Sequence, residues 1–115
     1  MGIEVRVCLI DLKRAFRRLI ARLPDESEAG GDFVDFGTSE KTLDIVVGGT
    51  SEVLNAIILH PGQGSVPLPV FCGIARILRF HRGIKVDLCF SEGRLKMDRA
   101  EFRHPGISIS FATER

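Results

Sequence analysis

Three cysteines and three histidines are the side chains of this chain best suited to bind zinc or to act as a nucleophile and its base. They are Cys8, Cys72, Cys89, His60, His81 and His104. Zinc ligands usually come in close pairs such as Cys-x-x-Cys or His-x-x-x-His, and neither spacing occurs here. Cys8 and Cys89 lie in strand patterns and are expected to be small core residues, whereas Cys72 is expected on the outer side of a helix. We therefore expect no metal site, no catalytic residues, no cofactor and no enzymatic activity.

The glycine-rich segments lack the sequence context of a nucleotide-binding loop. Neither 48–49 nor 62–64 forms part of a Gly-Lys-Ser or Gly-x-Gly-x-x-Gly motif, so both are typical of turns. Two His-Pro-Gly tripeptides, at 60–62 and 104–106, are expected to end strands. Proline cannot donate a hydrogen bond to a strand ladder, and glycine permits a turn.

Positive charge is the property that points to a ligand. Two segments with helical periodicity, 12–23 and 70–82, contain eight basic residues and no acidic residue. These eight are the candidate DNA-binding residues Lys13, Arg14, Arg17, Arg18, Arg22, Arg76, Arg79 and Arg82. The whole chain has 16 basic and 15 acidic residues, for a net charge of +1. Half of the basic residues are on the two helices, so the rest of the chain is acidic.

Like charges recur along the first basic segment at a spacing that brings them together. Arg14, Arg18 and Arg22 are four residues apart and would repel one another on a helix, whereas most surface helices alternate their charges. This pattern favours a polyanionic ligand over a merely solvated surface. We expect contacts to duplex phosphates without base reading, because the predicted basic surface lacks interleaved aromatic residues and no nucleic-acid-binding motif is present.

Two amphipathic helices are predicted to carry these basic residues. The first apolar stripe consists of Leu12, Ala15, Phe16, Leu19, Ile20 and Leu23, and the second of Val70, Gly73, Ile74, Ile77 and Leu78. Asp11 is the expected N-cap of the first helix, and Pro24 marks its end. Pro69 suits the first turn of the second helix, and Gly83 its C-cap. The side chains expected to be buried against the sheet include Phe16, Leu19, Ile74 and Ile77.

An internal repeat predicts how the helices are arranged. The segments 34–45 (VDFGTSEKTLDI) and 86–97 (VDLCFSEGRLKM) match at a constant offset of 52 residues. Each reads as a β-hairpin, turning at Ser39-Glu40 and at Ser91-Glu92. With the acidic stretch 25–31 as a loop, the pattern predicts one α+β domain over 1–115, built from repeats 1–62 and 63–113. Each repeat is βαβββ, and both helices pack on one face of an antiparallel sheet.

Composition and terminal patterns indicate where such a protein works. Hydrophobic residues make up 44% of the chain, enough for a core. There is no run of eighteen apolar residues and no signal-peptide pattern, so we expect a cytoplasmic protein without a membrane partner and with reduced thiols.

Several segments resemble a domain of the bacterial DNA polymerase sliding clamp. In the second half the similar segments are 65–71 (SVPLPVF), 85–88 (KVDL), 92–97 (EGRLKM) and 99–103 (RAEFR). In the first half they are the helix 11–23, the segment 41–45 (KTLDI) and the strand 52–59. The resemblance implies a DNA-clamp-like fold whose helices face DNA. Clamp rings contain six such domains, so the resemblance implies one of two working forms. Six copies form a homo-oligomeric ring that acts as a processivity factor with polymerase or repair proteins as partners, or the domain works as a monomer or small oligomer.

Two functions remain open at this stage. The first is a non-enzymatic clamp-like protein that contacts duplex DNA non-specifically through its basic helices, as an oligomeric ring in DNA replication or repair. The second is a clamp-fold protein–protein interaction module that does not encircle DNA. Binding to DNA and the mass in solution distinguish them, because a ring of single-domain subunits needs six copies.

Overall fold

The computed structural model describes residues 2–22 and 33–110, which form nine strands and two helices. The strands are β1 (Ile3–Cys8), β2 (Phe33–Thr38), β3 (Thr42–Val47), β4 (Thr50–His60), β5 (Gln63–Pro67), β6 (Lys85–Ser91), β7 (Arg94–Met97), β8 (Ala100–Arg103) and β9 (Ser108–Ser110). The helices are α1 (Leu9–Ala21) and α2 (Leu68–Leu78). The predicted α+β class is confirmed.

The strands form one antiparallel sheet in the order β8-β7-β6-β1-β4-β3-β2-β5-β9. A strand, a helix and three strands follow one another twice along the chain, as β1-α1-β2-β3-β4 and as β5-α2-β6-β7-β8. The first strand of each set pairs with the second strand of the other set, β1 with β6 and β5 with β2. The strand β9, which pairs with β5, was not predicted.

One face of the sheet holds the core. The strands β1, β3, β6 and β7 bury every second residue, as expected for strands covered on one side only. Residues from both helices join the same continuous apolar cluster. The two helices therefore cover the buried face of the sheet, and the other face carries half-buried and exposed side chains.

The sheet curves strongly around this core. Phe36 on β2 and Phe90 on β6 have ring centroids only 4.9 Å apart. Four strand spacings separate β2 from β6, which would be roughly 19 Å in a flat sheet. The bend lies in β4, whose residues 50–55 pair with β3 and whose residues 56–60 pair with β1. Beyond the bend, the N–H of Gly93 donates to the carbonyl of Ile107 at 2.8 Å, so the two ends of the sheet approach each other.

The helix α1 begins three residues before its predicted start. The predicted N-cap Asp11 lies inside the first turn, where its negative charge still complements the helix dipole. Cys8 occupies the N-cap position without a side-chain hydrogen bond. The N–H of Leu9 instead donates to the carbonyl of Ile84 at 2.9 Å. A residue outside the helix therefore satisfies one of the free N–H groups at the helix N-terminus. The predicted end at Leu23 and Pro24, and the loop 25–31, lie outside the described residues.

The helix α2 is shorter and differently rotated than predicted. Pro69 lies in its first turn as expected, but the helix ends at Leu78 and Arg79 is the C-cap, not Gly83. Its buried positions are Leu68, Phe71, Ile74 and Leu78. The predicted burial of Ile77 is wrong, since 42% of that residue is exposed. The large ring of Phe71, which the predicted stripe left out, fills the core and sets the rotation. The predicted burial of Phe16, Leu19 and Ile74 is confirmed.

Both predicted hairpins are present. The strands β2 and β3 are joined by 39–41, and β6 and β7 by Glu92 and Gly93. The His-Pro-Gly tripeptides lie at the ends of strands, as predicted: His60 is the last residue of β4, and His104 directly follows β8. The prediction that Cys8 and Cys89 are core residues is wrong. Their strand neighbours Val7, Leu88 and Phe90 point into the core, so both thiols lie half-buried on the opposite face.

An ion pair on that opposite face gives the fold a testable pH dependence. Arg6 Nε donates to Asp87 Oδ1 at 2.6 Å across β1 and β6. This hydrogen bond lowers the pKa of Asp87 below its ordinary value of 3.8. A carboxylate with a lowered pKa stabilises the fold above its ordinary pKa, and the stabilisation disappears as the pH falls through the lowered value.

We expect Asp87→Asn to remove this part of the acid sensitivity. The free energy of unfolding at neutral pH should fall by less than about 1 kcal/mol, because the two side chains are 44% and 41% exposed and solvent screens the pair. The further loss below pH 3.8 should be smaller than in the parent. Urea denaturation across this range measures it. Asp35→Asn, at an exposed position without an ion pair to a described residue, should keep the parental profile, and an identical profile for Asp87→Asn would contradict the assignment.

Candidate nucleic-acid interface

A stack of aromatic side chains holds the two basic helices next to each other. The ring centroids of Phe16 on α1 and Phe71 on α2 are 4.4 Å apart, and Phe36 on β2 lies 6.5 Å from Phe71. All three rings are buried. Because this contact fixes the inner sides of both helices, their outer sides form one continuous surface.

A groove of about 590 Å³ runs between the helices on that surface. Its apolar lining includes Phe16, Ile20, Ala75 and Leu78. Its cationic lining consists of Lys13, Arg17, Arg76 and Arg79. We call this groove and its four cationic side chains the interhelix surface. The structure thus brings together four of the eight predicted residues, two from α1 and two from α2 or its C-cap.

Arg18 and Arg22 lie on the other side of α1 and are partly neutralised. Arg18 Nη1 is 3.1 Å from Glu52 Oε1, and Arg22 Nη1 is 3.5 Å from Glu52 Oε2. Only 12% of the Glu52 side chain is exposed, so the carboxylate lies beneath both guanidinium groups. Arg14 and Arg18 border a smaller depression that also contains Glu52. Net positive charge is therefore concentrated on the interhelix surface.

The remaining predicted residues differ in whether their charged groups already bind another part of the protein. Lys13 is half-buried, and its Nζ donates to the backbone carbonyl of His81 at 3.0 Å, tying α1 to the loop after α2. Arg17, Arg76, Arg79 and Arg82 are exposed and form no ion pair with a described residue. Their guanidinium groups are open to an external anion. Arg79 and Arg82 lie beyond the end of α2, not within it.

The structure also exposes an aromatic side chain that the sequence interpretation missed. Phe80 is 79% exposed, and the guanidinium carbon of Arg79 lies 5.9 Å from its ring centroid. The expectation that no aromatic residue is interleaved with the arginines is therefore wrong. The sequence does place Phe80 between Arg79 and Arg82. The prediction missed it because it extended the helix to Arg82.

A histidine–carboxylate pair lies behind this loop. His81 Nε2 and Asp98 Oδ2 are 2.6 Å apart, and Asp98 Oδ1 accepts the backbone N–H of Asp87 at 2.9 Å. The pair joins the loop after α2 to the turn between β7 and β8, so its evident role is to hold that loop. Within residues 2–22 and 33–110, no three His, Cys, Asp or Glu side chains are grouped as a metal site would require.

Comparison with known proteins gives no family. No model of a known protein family matches the chain, and no curated protein matches it significantly. Neither helix in the described part of the chain is long and apolar enough to cross a membrane.

Proposed function

We propose that this protein is a non-enzymatic, DNA clamp-like protein that binds duplex DNA non-specifically through its interhelix surface. The observation that carries the proposal is the convergence of Lys13, Arg17, Arg76 and Arg79 on one groove between two helices. Arg17, Arg76 and Arg79 have no carboxylate partner among the described residues, so their donors are available. Guanidinium groups form strong, charge-assisted hydrogen bonds with phosphate oxygens.

The charge distribution supports backbone contact centred on the groove. Glu52 would repel phosphates on the far side of α1, where it already pairs with Arg18 and Arg22. Arg14, Arg18, Arg22 and Arg82 then act as flanking contacts at longer range. Contacts to phosphates position a protein on DNA without reading its sequence, so binding should be independent of sequence.

The clamp-like part of the proposal rests on topology and on sequence resemblance. The same succession of a strand, a helix and three strands occurs twice, and the first strand of each set pairs with the second strand of the other set. A duplicated βαβββ domain accounts for this symmetry. One such domain corresponds to one sixth of a clamp ring, and the working form we propose is a homo-oligomer that encircles DNA and serves polymerase or repair proteins.

A protein-binding module is the second candidate function. The observation that favours it is a row of exposed apolar side chains on β4, formed by Val53, Ile57 and Leu59. They lie on the side of the sheet away from the helices, because Leu54 between them points into the core. Exposed apolar patches on soluble proteins often mark protein-binding sites.

Fluorescence anisotropy with labelled duplexes tests DNA binding. The parent should bind two unrelated sequences equally, and log affinity should fall linearly with log salt, by about 0.9 per phosphate contacted. The triple variant Arg17→Ala, Arg76→Ala and Arg79→Ala should bind more weakly, with a slope shallower by about 2.7. Folding should remain intact, since these side chains are exposed.

A matched control removes the same charge elsewhere. Arg94→Ala, Arg99→Ala and Arg103→Ala together delete three exposed arginines around β7 and β8 and should leave the slope unchanged. Equal losses in both triple variants, or no binding by the parent to linear or circular duplex, would overturn the proposal. Sedimentation velocity then separates the two candidate functions, because a hexamer supports the ring and a monomer supports the module.

A further inference from the structure

Three of the most exposed apolar side chains in the described part of the chain are on segments that meet at one end of the helix pair. Ile10 is 58% exposed, Phe80 79% and Ile84 80%. The loop 79–84 runs beside the first turns of α1, because the N–H of Leu9 donates to the carbonyl of Ile84 at 2.9 Å. We call Ile10, Phe80 and Ile84 the apolar tip. Exposure of this kind is unfavourable in water unless a partner covers it.

The apolar tip continues directly from the interhelix surface. Arg79, which lines the groove, also holds its guanidinium carbon 5.9 Å from the Phe80 ring centroid. Arg82 and Lys85 are exposed on the two sides of Ile84. The nearby carboxylate of Asp98 is engaged by His81 and by the N–H of Asp87. A ligand that covers the tip therefore meets cations at its edge.

Hydrogen bonds hold the loop that carries the tip. Lys13 Nζ donates to the carbonyl of His81 at 3.0 Å, and the His81 ring is bonded to Asp98 at 2.6 Å. Together with the bond between Leu9 and Ile84, these contacts fix the loop to α1 and to the turn after β7. Phe80 is thus presented from a restrained backbone, which lowers the entropy lost when it is covered.

We propose that the apolar tip inserts Phe80 into the base stack of DNA where stacking is interrupted, as at a gap, a nick or a mismatch. This inference rests on the proposed function, because the interhelix surface must first bring DNA to the tip. Phe and Ile are residues that DNA-bending proteins insert between base steps, with arginines on the neighbouring phosphates. Unstacking costs least where a base is already unpaired. The tip therefore selects interrupted over continuous duplex.

The arrangement favours DNA over a lipid surface. Helices that lie in a membrane interface present an apolar face over several turns. Here the outer faces of both helices carry Arg17 and Arg76, and the two most exposed large apolar side chains among the described residues, Phe80 and Ile84, lie in the loop at one end. A single ring flanked by guanidinium groups matches a stacked base between phosphates.

Anisotropy titrations with a continuous duplex and with the same duplex carrying a one-nucleotide gap test the inference. The parent should bind the gapped duplex more tightly, by about fivefold to a hundredfold, the range that stacking of one base on an aromatic ring supplies. Phe80→Ala should abolish this preference and leave the affinity for continuous duplex unchanged. Phe33→Ala, at an exposed phenylalanine on β2, should keep the preference.

The Phe80→Trp variant supplies a direct readout, because the chain contains no tryptophan. Its emission should be quenched on the gapped duplex and much less on the continuous one. If the parent binds no DNA, the proposed function fails first. If the parent binds both duplexes equally, or Phe80→Ala keeps the preference, the inference alone is overturned. It is also overturned if Phe80→Ala loses only binding to phosphatidylserine-containing vesicles.

Discussion

Phe71→Ala is expected to lower the free energy of unfolding by about 3–5 kcal/mol. Phe71 is fully buried, and its ring lies between Phe16 on α1 and Phe36 on β2. Removing the ring would leave a cavity where both helices meet the sheet. Urea denaturation followed by circular dichroism measures the change.

Phe33→Ala provides the comparison for this experiment. Phe33, the first residue of β2, has the same side chain but is exposed. Its truncation should therefore lower the free energy of unfolding by less than about 1 kcal/mol. Similar losses in the two variants would show that Phe71 is not the contact that joins the helices to the sheet. Phe71→Leu should lose less than Phe71→Ala, because leucine fills part of the cavity.

Gly64→Val should lower the free energy of unfolding by about 1–3 kcal/mol through overpacking. A Cβ at position 64 would lie 3.1 Å from Cδ2 of Phe90, which is closer than the ring can accept without moving. Phe90 is itself fully buried, with its ring 4.9 Å from that of Phe36. The added methyl groups would therefore have to displace the Phe90 ring, at the point where the two ends of the curved sheet pack together.

Gly37→Val is the matched substitution for this prediction. Gly37 is on the neighbouring strand β2, but the nearest atom to its added Cβ would be Cγ of Gln63 at 4.0 Å, in a flexible and exposed side chain. It should be neutral or stabilise the fold by up to about 1 kcal/mol, because valine restricts the unfolded chain. Thermal unfolding of both variants measures this difference. A larger loss of stability for Gly37→Val than for Gly64→Val would contradict the prediction.

The sequence predicted the local elements of the fold better than their arrangement. Both hairpins and both helices are present close to the predicted positions, because periodicity and turn residues act over a few residues, although α1 begins earlier and α2 ends earlier than predicted. The partner change within β4 depends on curvature and could not be read from a local pattern. The rotation of α2 was missed because Phe71 and Ile77 are both apolar, and only the shape of the core decides which is buried.

The candidate site was predicted as a set of residues but not as a surface. Helical periodicity identified the basic residues, and sequence offers no means of knowing that Glu52, far along the chain, lies against Arg18 and Arg22. The groove depends on the contact between Phe16 and Phe71, which is also long-range. Phe80 was readable from its position between two arginines and was overlooked.

The reciprocal pairing of the two sets of strands has a consequence for how the protein folds during synthesis. The strand β1 is made before the other described strands, yet one of its two neighbours, β6, is made only after α2. The strand β2 likewise cannot complete its pairing until β5 has been made. The first half of the chain cannot complete its sheet alone, and its apolar strand faces stay uncovered until most of the chain has emerged. Such non-local pairing slows folding, so this domain should depend on chaperones more than a helical bundle of equal length.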